Sequence, residues 1–160
     1  MKFGPVPVAL AEGAILAHSL HLTGGRLRKG HILDTGDIAA LQAEGIAAVT
    51  VARLEDGDLH EDDAALALAE AIRNGVPDIE LTKPFTGRVN LIAGRPGVVM
   101  IEPSQIDDAN AVNPMITVAT VSPFHQIHPG GMPPPAKLIP YAVPASALRA
   151  AAGAARGALP

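Results

Sequence analysis

The sequence predicts an α+β fold, with mixed strands, two or three short helices and a β-rich second half. Three observations predict it. Residues 56–75, DGDLHEDDAALALAEAIRNG, join an acid-rich start to an apolar stripe of Ala65, Leu68 and Ile72 at helical spacing. Residues 46–54, IAAVTVARL, have the β-branched texture of a strand. After residue 78, prolines punctuate short apolar runs and helical periodicity gives way to strand-length pieces.

The elements follow in order. The N-terminus reads as structure rather than a targeting peptide, because Pro5, Pro7 and Glu12 break its apolar run and only Lys2 precedes it. Residues 14–22 read as a strand with Leu16, His18, Leu20 and Leu22 on one face. Thr23-Gly24-Gly25 is a turn, and residues 25–33 form a short basic strand or a tight turn. A helix begins near Thr35, a candidate N-cap, with Asp37 at its positive end, and Gly45 stops it. The strand 46–54 comes next. The second helix takes Asp58 as N-cap with Glu61 three residues on, and Gly75 ends it.

Beyond residue 78 the expected strands are 85–92, 98–101, 115–121 and 136–141, with a short helix over 103–113 and a loop over 128–135. The Ala/Gly/Arg-rich end could be a frayed helix, a linker or a disordered tail. This gives an α/β lobe over 1–78, a β-rich lobe over 79–145, and a linker or disordered tail over 146–160.

Composition narrows the function. Among 160 residues aromatics make up 2% and the net charge is −4. Both argue against a nucleic-acid partner, which calls for stacking faces and cations. With no cysteine, thiolate metal sites, disulfides and cysteine nucleophiles are excluded, and a reducing cytoplasm suits the chain. No apolar run approaches the ~18 residues of a membrane span. The aliphatic richness suits a homodimer.

Several residues invite a chemical reading. His18 and His21, and His125 and His128, are three apart, but a strand sends such positions to opposite faces and no carboxylate accompanies the second pair. No metal is expected. Glu61, Asp62 and Asp63 complement a helix start, and Asp107 and Asp108 mark a helix start or turn. The segment GGRLRKG is an anion-binding candidate of low specificity, or simply a charged hairpin.

The stretch KPFTGRVNLIAG, residues 83–94, is more informative. As a strand it puts Phe85, Gly87, Val89 and Leu91 on one face and Thr86, Arg88 and Asn90 on the other. Solvent alone could explain the polar face. Arg88 and Asn90 also suit an anionic ligand or a second domain, and Lys137 is another cation inside an apolar strand. If those strands are neighbours, Thr86, Arg88, Asn90 and Lys137 make a ligand-binding or interdomain surface. No nucleophile–base–orienter set is legible, so the catalytic residues are unassigned.

Residues 26–65 resemble a segment of the molybdopterin-binding proteins related to molybdopterin molybdenumtransferase and gephyrin. FTGRVNLIA (85–93), NAVNPMITVATVSPF (110–124) and AKLIPYAVP (136–144) resemble its continuation. The resemblance spans roughly residues 2–145, and EDGDLHEDDAA and FTGRVNL are its best markers. It implies an accessory N-terminal domain in molybdenum cofactor biosynthesis, in the cytoplasm, which helps bind or present the pterin or packs on a downstream pterin-binding domain. The implied cofactor is molybdopterin or the molybdenum cofactor in the parent protein, with none tightly bound to this chain. Thr23-Gly24-Gly25 is followed by Arg26 rather than by the rest of the pterin-binding TGG-TG signature. The chain itself is therefore expected to be non-catalytic, in a parent that is a molybdenumtransferase or cytidylyltransferase. The alternative from another class is a structural or oligomerisation module that binds no ligand.

Overall fold

The computed structural model describes residues 1–130, 136–138 and 141–159, with the side chains of 136–138 outside that description. The class is α+β, as expected. Two compact units divide the chain, Met1–Asp58 and Leu59–Pro160. The boundary thus falls at the start of the second helix and not near residue 78. That helix packs with the elements that follow it.

In the first unit, β1 (Lys2–Pro7) and β2 (Ile15–Leu16) flank β5 (Ala48–Arg53), both antiparallel to it. Residues 14–22 are not one strand. Ser19 leaves the ladder, where its Oγ accepts from the Lys29 amide at 3.0 Å. The chain then forms a separate hairpin of β3 (Leu20–Leu22) and β4 (Gly25–Leu27).

Helix α1 (Thr35–Ala43) is capped by Asp34 rather than Thr35. Asp34 Oδ1 accepts from the Asp37 amide at 2.8 Å, and Asp37 Oδ2 accepts from the Asp34 amide at 3.0 Å. This is a capping box built from two aspartates. Gly45 ends the helix in the left-handed region, at φ 72°. Val8, Leu16, Leu33, Leu41, Val49 and Val51 form the core of this unit.

In the second unit, helix α2 (Glu61–Arg73) starts two residues later than expected. Its N-cap is His60, whose Nδ1 accepts from the Asp62 amide at 3.3 Å. Asp58 instead serves the preceding turn, its carboxylate accepting from the Glu55 amide at 2.9 Å. Strand β6 (Asp58–His60), most of which falls in this unit, pairs with β14 (Ala142–Pro144). Asn74, left-handed at φ 46°, caps the far end of α2 just before Gly75.

Helix α3 (Pro103–Val112) matches expectation, and of the alternatives for the Ala/Gly/Arg-rich end the helix is the one formed, α4 (Ala145–Ala155), rather than a linker or disordered tail. Four α-helices thus stand among the described residues where two or three were expected. Helix α4 packs on α2 and α3. Its Leu148, Ala151 and Ala155 are buried together with Ala64, Ala65, Leu68 and Ala69 of α2 and Ala109 of α3. Alanine at these positions lets helices pack closely where bulky rings are scarce.

The strands of this unit are short ribbons whose described registers are antiparallel. Strand β7 (Ile79–Leu81) pairs with β9 (Leu91–Ala93), and β10 (Gly97–Val99) with β12 (His125–Ile127). Strand β13 (Ala136–Leu138) lies between β8 (Arg88–Val89) and β11 (Ile116–Val118). Residues 131–135 of the expected loop lie outside the described residues. No helix among the described residues is long and apolar enough to cross a membrane.

Candidate functional site

The segment 85–92 is not one strand. Phe85 and Arg88 exchange both backbone hydrogen bonds, at 3.1 and 3.2 Å, across the two residues Thr86 and Gly87. Both central residues have positive φ, 48° and 68°. That is the geometry of a type I′ hairpin turn. Phe85 is accordingly 75% exposed and does not join the core as the alternation predicted. From Gly87 onward the alternation holds, with Gly87, Val89 and Leu91 buried and Arg88 exposed.

The turn is fastened to the start of α2. Asp62 Oδ1 accepts from the Gly87 amide at 2.7 Å. So one of the three acids read as helix-start complements is also a tether. Asn90 sits at the crossing between ribbons. Its amide donates to Thr82 Oγ1, and the Thr82 amide donates to the Asn90 carbonyl, both at 2.9 Å. Its side-chain Oδ1 is buried and makes no hydrogen bond. Asn90 therefore belongs more to the ribbon crossing than to an open polar face.

The strands carrying Arg88 and Lys137 are neighbours. Arg88 lies directly opposite Lys137 in the β8–β13 register, and Lys137 lies opposite Thr117 in β11. Directly opposed residues share a sheet face, with Cβ atoms roughly 4.5–5.5 Å apart. The Arg88 guanidinium makes no hydrogen bond or ion pair to any described residue. The Lys137 side chain lies outside the description. Thr86, at the turn tip, is exposed one residue before Gly87. Like charges at directly opposed positions of a strand pair are unfavourable, and an anion between them removes the penalty.

Asp107 and Asp108, expected at a helix start or turn, are exposed in the middle of α3. Asn110 on the same helix donates to the Val118 carbonyl at 2.9 Å and accepts from its amide at 2.7 Å, standing in for a neighbouring strand. No group of three or more His, Asp or Glu side chains among the described residues is placed to hold a metal.

Sequence reasoning did not find a groove of about 500 Å³ in this unit. Ile79, Ala93 and Ile127 are among its walls, beside Val98 and Met100, and Arg95 and Asp78 are its charged lining residues. Those two form an ion pair, and the carboxylate hydrogen bond holds the Arg95 guanidinium more firmly protonated. Val98, Met100 and Phe124 are more than half exposed. Phe124, at φ 63°, donates its amide to the Val99 carbonyl at 2.8 Å. Exposed apolar residues at 98 and 100 were the available signal, but alternation alone does not tell an open strand face from a covered one.

Residues 5–53 match the model of a family described as a domain of unknown function, DUF8806. The match lies within the first unit and contains none of Thr86, Arg88, Asn90 and Lys137. No curated protein and no solved structure matches the chain.

Proposed function

We propose that this chain is an accessory domain of a molybdopterin-binding protein in molybdenum cofactor biosynthesis, and that it holds the anionic phosphate end of the pterin for a downstream pterin-binding domain. The observation that carries this reading is the cross-strand opposition of Arg88 and Lys137. Residue types and register suit a phosphate: a planar guanidinium fork, an ammonium opposite it, and Thr117 and Thr86 hydroxyls nearby in sequence and register. They supply nothing for the metal end of the cofactor, which this reading leaves to the partner domain. The resemblance over residues 26–65 and 85–144 supplies the biological setting and the cytoplasmic location.

Calorimetric titration of the full-length protein with a phosphate-bearing pterin tests the reading. Arg88→Ala should leave the fold intact, since exposed substitutions usually stay within about 0.5 kcal/mol. It should weaken binding by roughly 1.5–3 kcal/mol through loss of a charge-assisted hydrogen bond. Equal affinity for the two proteins returns this face to ordinary surface.

The second reading, a structural or oligomerisation module, is favoured by the exposed Val98, Met100 and Phe124. It expects a dimer in sedimentation that Met100→Glu dissociates, with no response to the pterin.

A further inference from the structure

We propose that the outer face of the β3–β4 hairpin in the first unit binds a condensed phosphate, a ligand carrying two or more linked phosphoryl groups. The site is separate from the Arg88–Lys137 row and does not depend on the molybdopterin reading.

The argument begins with charge. The chain is acidic overall, at −4, yet residues 18–31 contain His18, His21, Arg26, Arg28, Lys29 and His31 and no Asp or Glu. The fold concentrates part of this set. His21 lies directly opposite Arg26 in the hairpin register. Leu20, Leu22 and Leu27 pack against the core of the unit, which turns His21 and Arg26 to the outer face. Arg28 follows two residues after Arg26, just past the end of β4, and is exposed as Arg26 is.

Other cations of this unit have partners. Arg53 Nη2 donates to the carbonyls of Leu10 and Glu12 at 2.7 and 3.2 Å. His31 Nε2 lies 2.6 Å from Asp37, and Lys2 is 3.5 Å from Glu55. The guanidinium groups of Arg26 and Arg28 have no such partner among the described residues. Arg26 and Arg28 carry like charge at exposed positions two apart, a repulsion that a bound anion relieves.

Spacing selects the kind of anion. Positions two apart on a strand are about 6.5 Å apart, and a directly opposed residue is about 5 Å away. A condensed phosphate spreads more charge and more acceptor oxygens along such a row than a lone phosphoryl group, and so meets both guanidinium forks and His21 with less convergence. A groove of about 460 Å³ between the hairpin and α1 is lined by Arg26 as well as by Asp37 and Glu44. The two carboxylates disfavour an anion inside that groove, so an anion meets Arg26 from its solvent-exposed side. No aromatic residue lies in the hairpin to stack on a base, so a nucleic-acid strand is a poorer match.

The test is calorimetric titration of the full chain with pyrophosphate, orthophosphate and a nucleoside diphosphate at low salt. Pyrophosphate should bind at least about tenfold more tightly than orthophosphate, the Arg26→Ala/Arg28→Ala double variant should lose at least about tenfold, and Arg149→Ala, an exposed cation outside both proposed sites, should change nothing. A nucleoside diphosphate matching pyrophosphate shows that the phosphates alone are read. Tighter binding shows that the nucleoside is held as well. Equal affinity for pyrophosphate and orthophosphate overturns the proposal. So does an unchanged double variant with a native circular dichroism spectrum. Loss in Arg88→Ala alone assigns the anion to the second unit, and leaves the function proposed above standing while this inference fails.

Discussion

The two units solve the shortage of aromatic residues differently. The first builds one continuous three-stranded sheet and covers it with aliphatic side chains such as Leu16, Leu41 and Val51. The second gathers α2, α3 and α4 around alanine contacts and lays short ribbons of two or three strands against them. A six-residue strand such as β5 advertises itself in the sequence, because its period repeats. A two-residue strand such as β8 exists only because Ala136 and Lys137 lie beside it. Both units nonetheless place a cation opposite another basic residue across a hairpin or ribbon, His21 with Arg26 and Arg88 with Lys137.

The largest effect that could break this comparison comes from the cores. Leu68 of α2 and Leu41 of α1 are both fully buried. Truncating either to Ala should cost about 2–5 kcal/mol. If the units are separately cooperative, Leu41→Ala lowers only the transition of Met1–Asp58, and Leu68→Ala only that of Leu59–Pro160. Hydrogen exchange with residue-level readout separates the two. Uniform loss of protection across both units in either variant would mean one cooperative body and erase the division.

What the sequence made legible follows the same line. Helix α3, the strand β5 and the Gly45 stop were readable, since local periodicity and terminators encode them. Cap residues were misplaced by one or two positions, Thr35 for Asp34 and Asp58 for His60. Several neighbouring polar side chains can cap, and only the backbone angle chooses among them. The α4 helix was obscured by Gly153 and an alanine-rich composition that suits a linker equally well. Its burial against α2 and α3 is tertiary information. At the candidate site, the residue types were legible and the pairing of Arg88 with Lys137 was stated as a condition. The hairpin turn at Thr86-Gly87 was missed, because a β-branched residue is a poor cue for a left-handed turn.

A smaller effect sharpens the contrast between caps. Asp34→Ala removes the α1 cap and should cost about 0.5–2 kcal/mol in thermal or urea unfolding. The capping box has a pH signature. Partial burial raises the Asp37 carboxyl, but hydrogen bonds from the Asp34 amide and His31 outweigh it and hold the group below its ordinary value. A carboxyl depressed in the folded state contributes stability above its unfolded value, near 3.9, and loses it as pH falls through the folded value. Wild type should therefore lose more stability than Asp37→Asn, whose side chain does not titrate, on acidification below about pH 4. Parallel acid limbs would show that the capping box contributes nothing to the titration.

The smallest effect returns to the turn at the head of β8. Thr86 occupies the left-handed region at φ 48°, where a β-branched side chain is strained. Asn tolerates that region, and Asn-Gly is the preferred pair for a type I′ turn. Thr86→Asn should thus raise stability by about 0.5–1 kcal/mol, the scale of relieving left-handed strain in part. Strain retained at one position often accompanies function. If the Thr86 hydroxyl contacts an anion held by Arg88 and Lys137, the more stable variant should bind a phosphate-bearing pterin less well. If Thr86 serves the turn alone, stability rises and binding is unchanged, which removes Thr86 from the site and leaves the register of Arg88 against Lys137 as its whole basis. Lower stability in Thr86→Asn would mean that the threonine is not strained, and that the turn is held by Gly87 and its bond to Asp62.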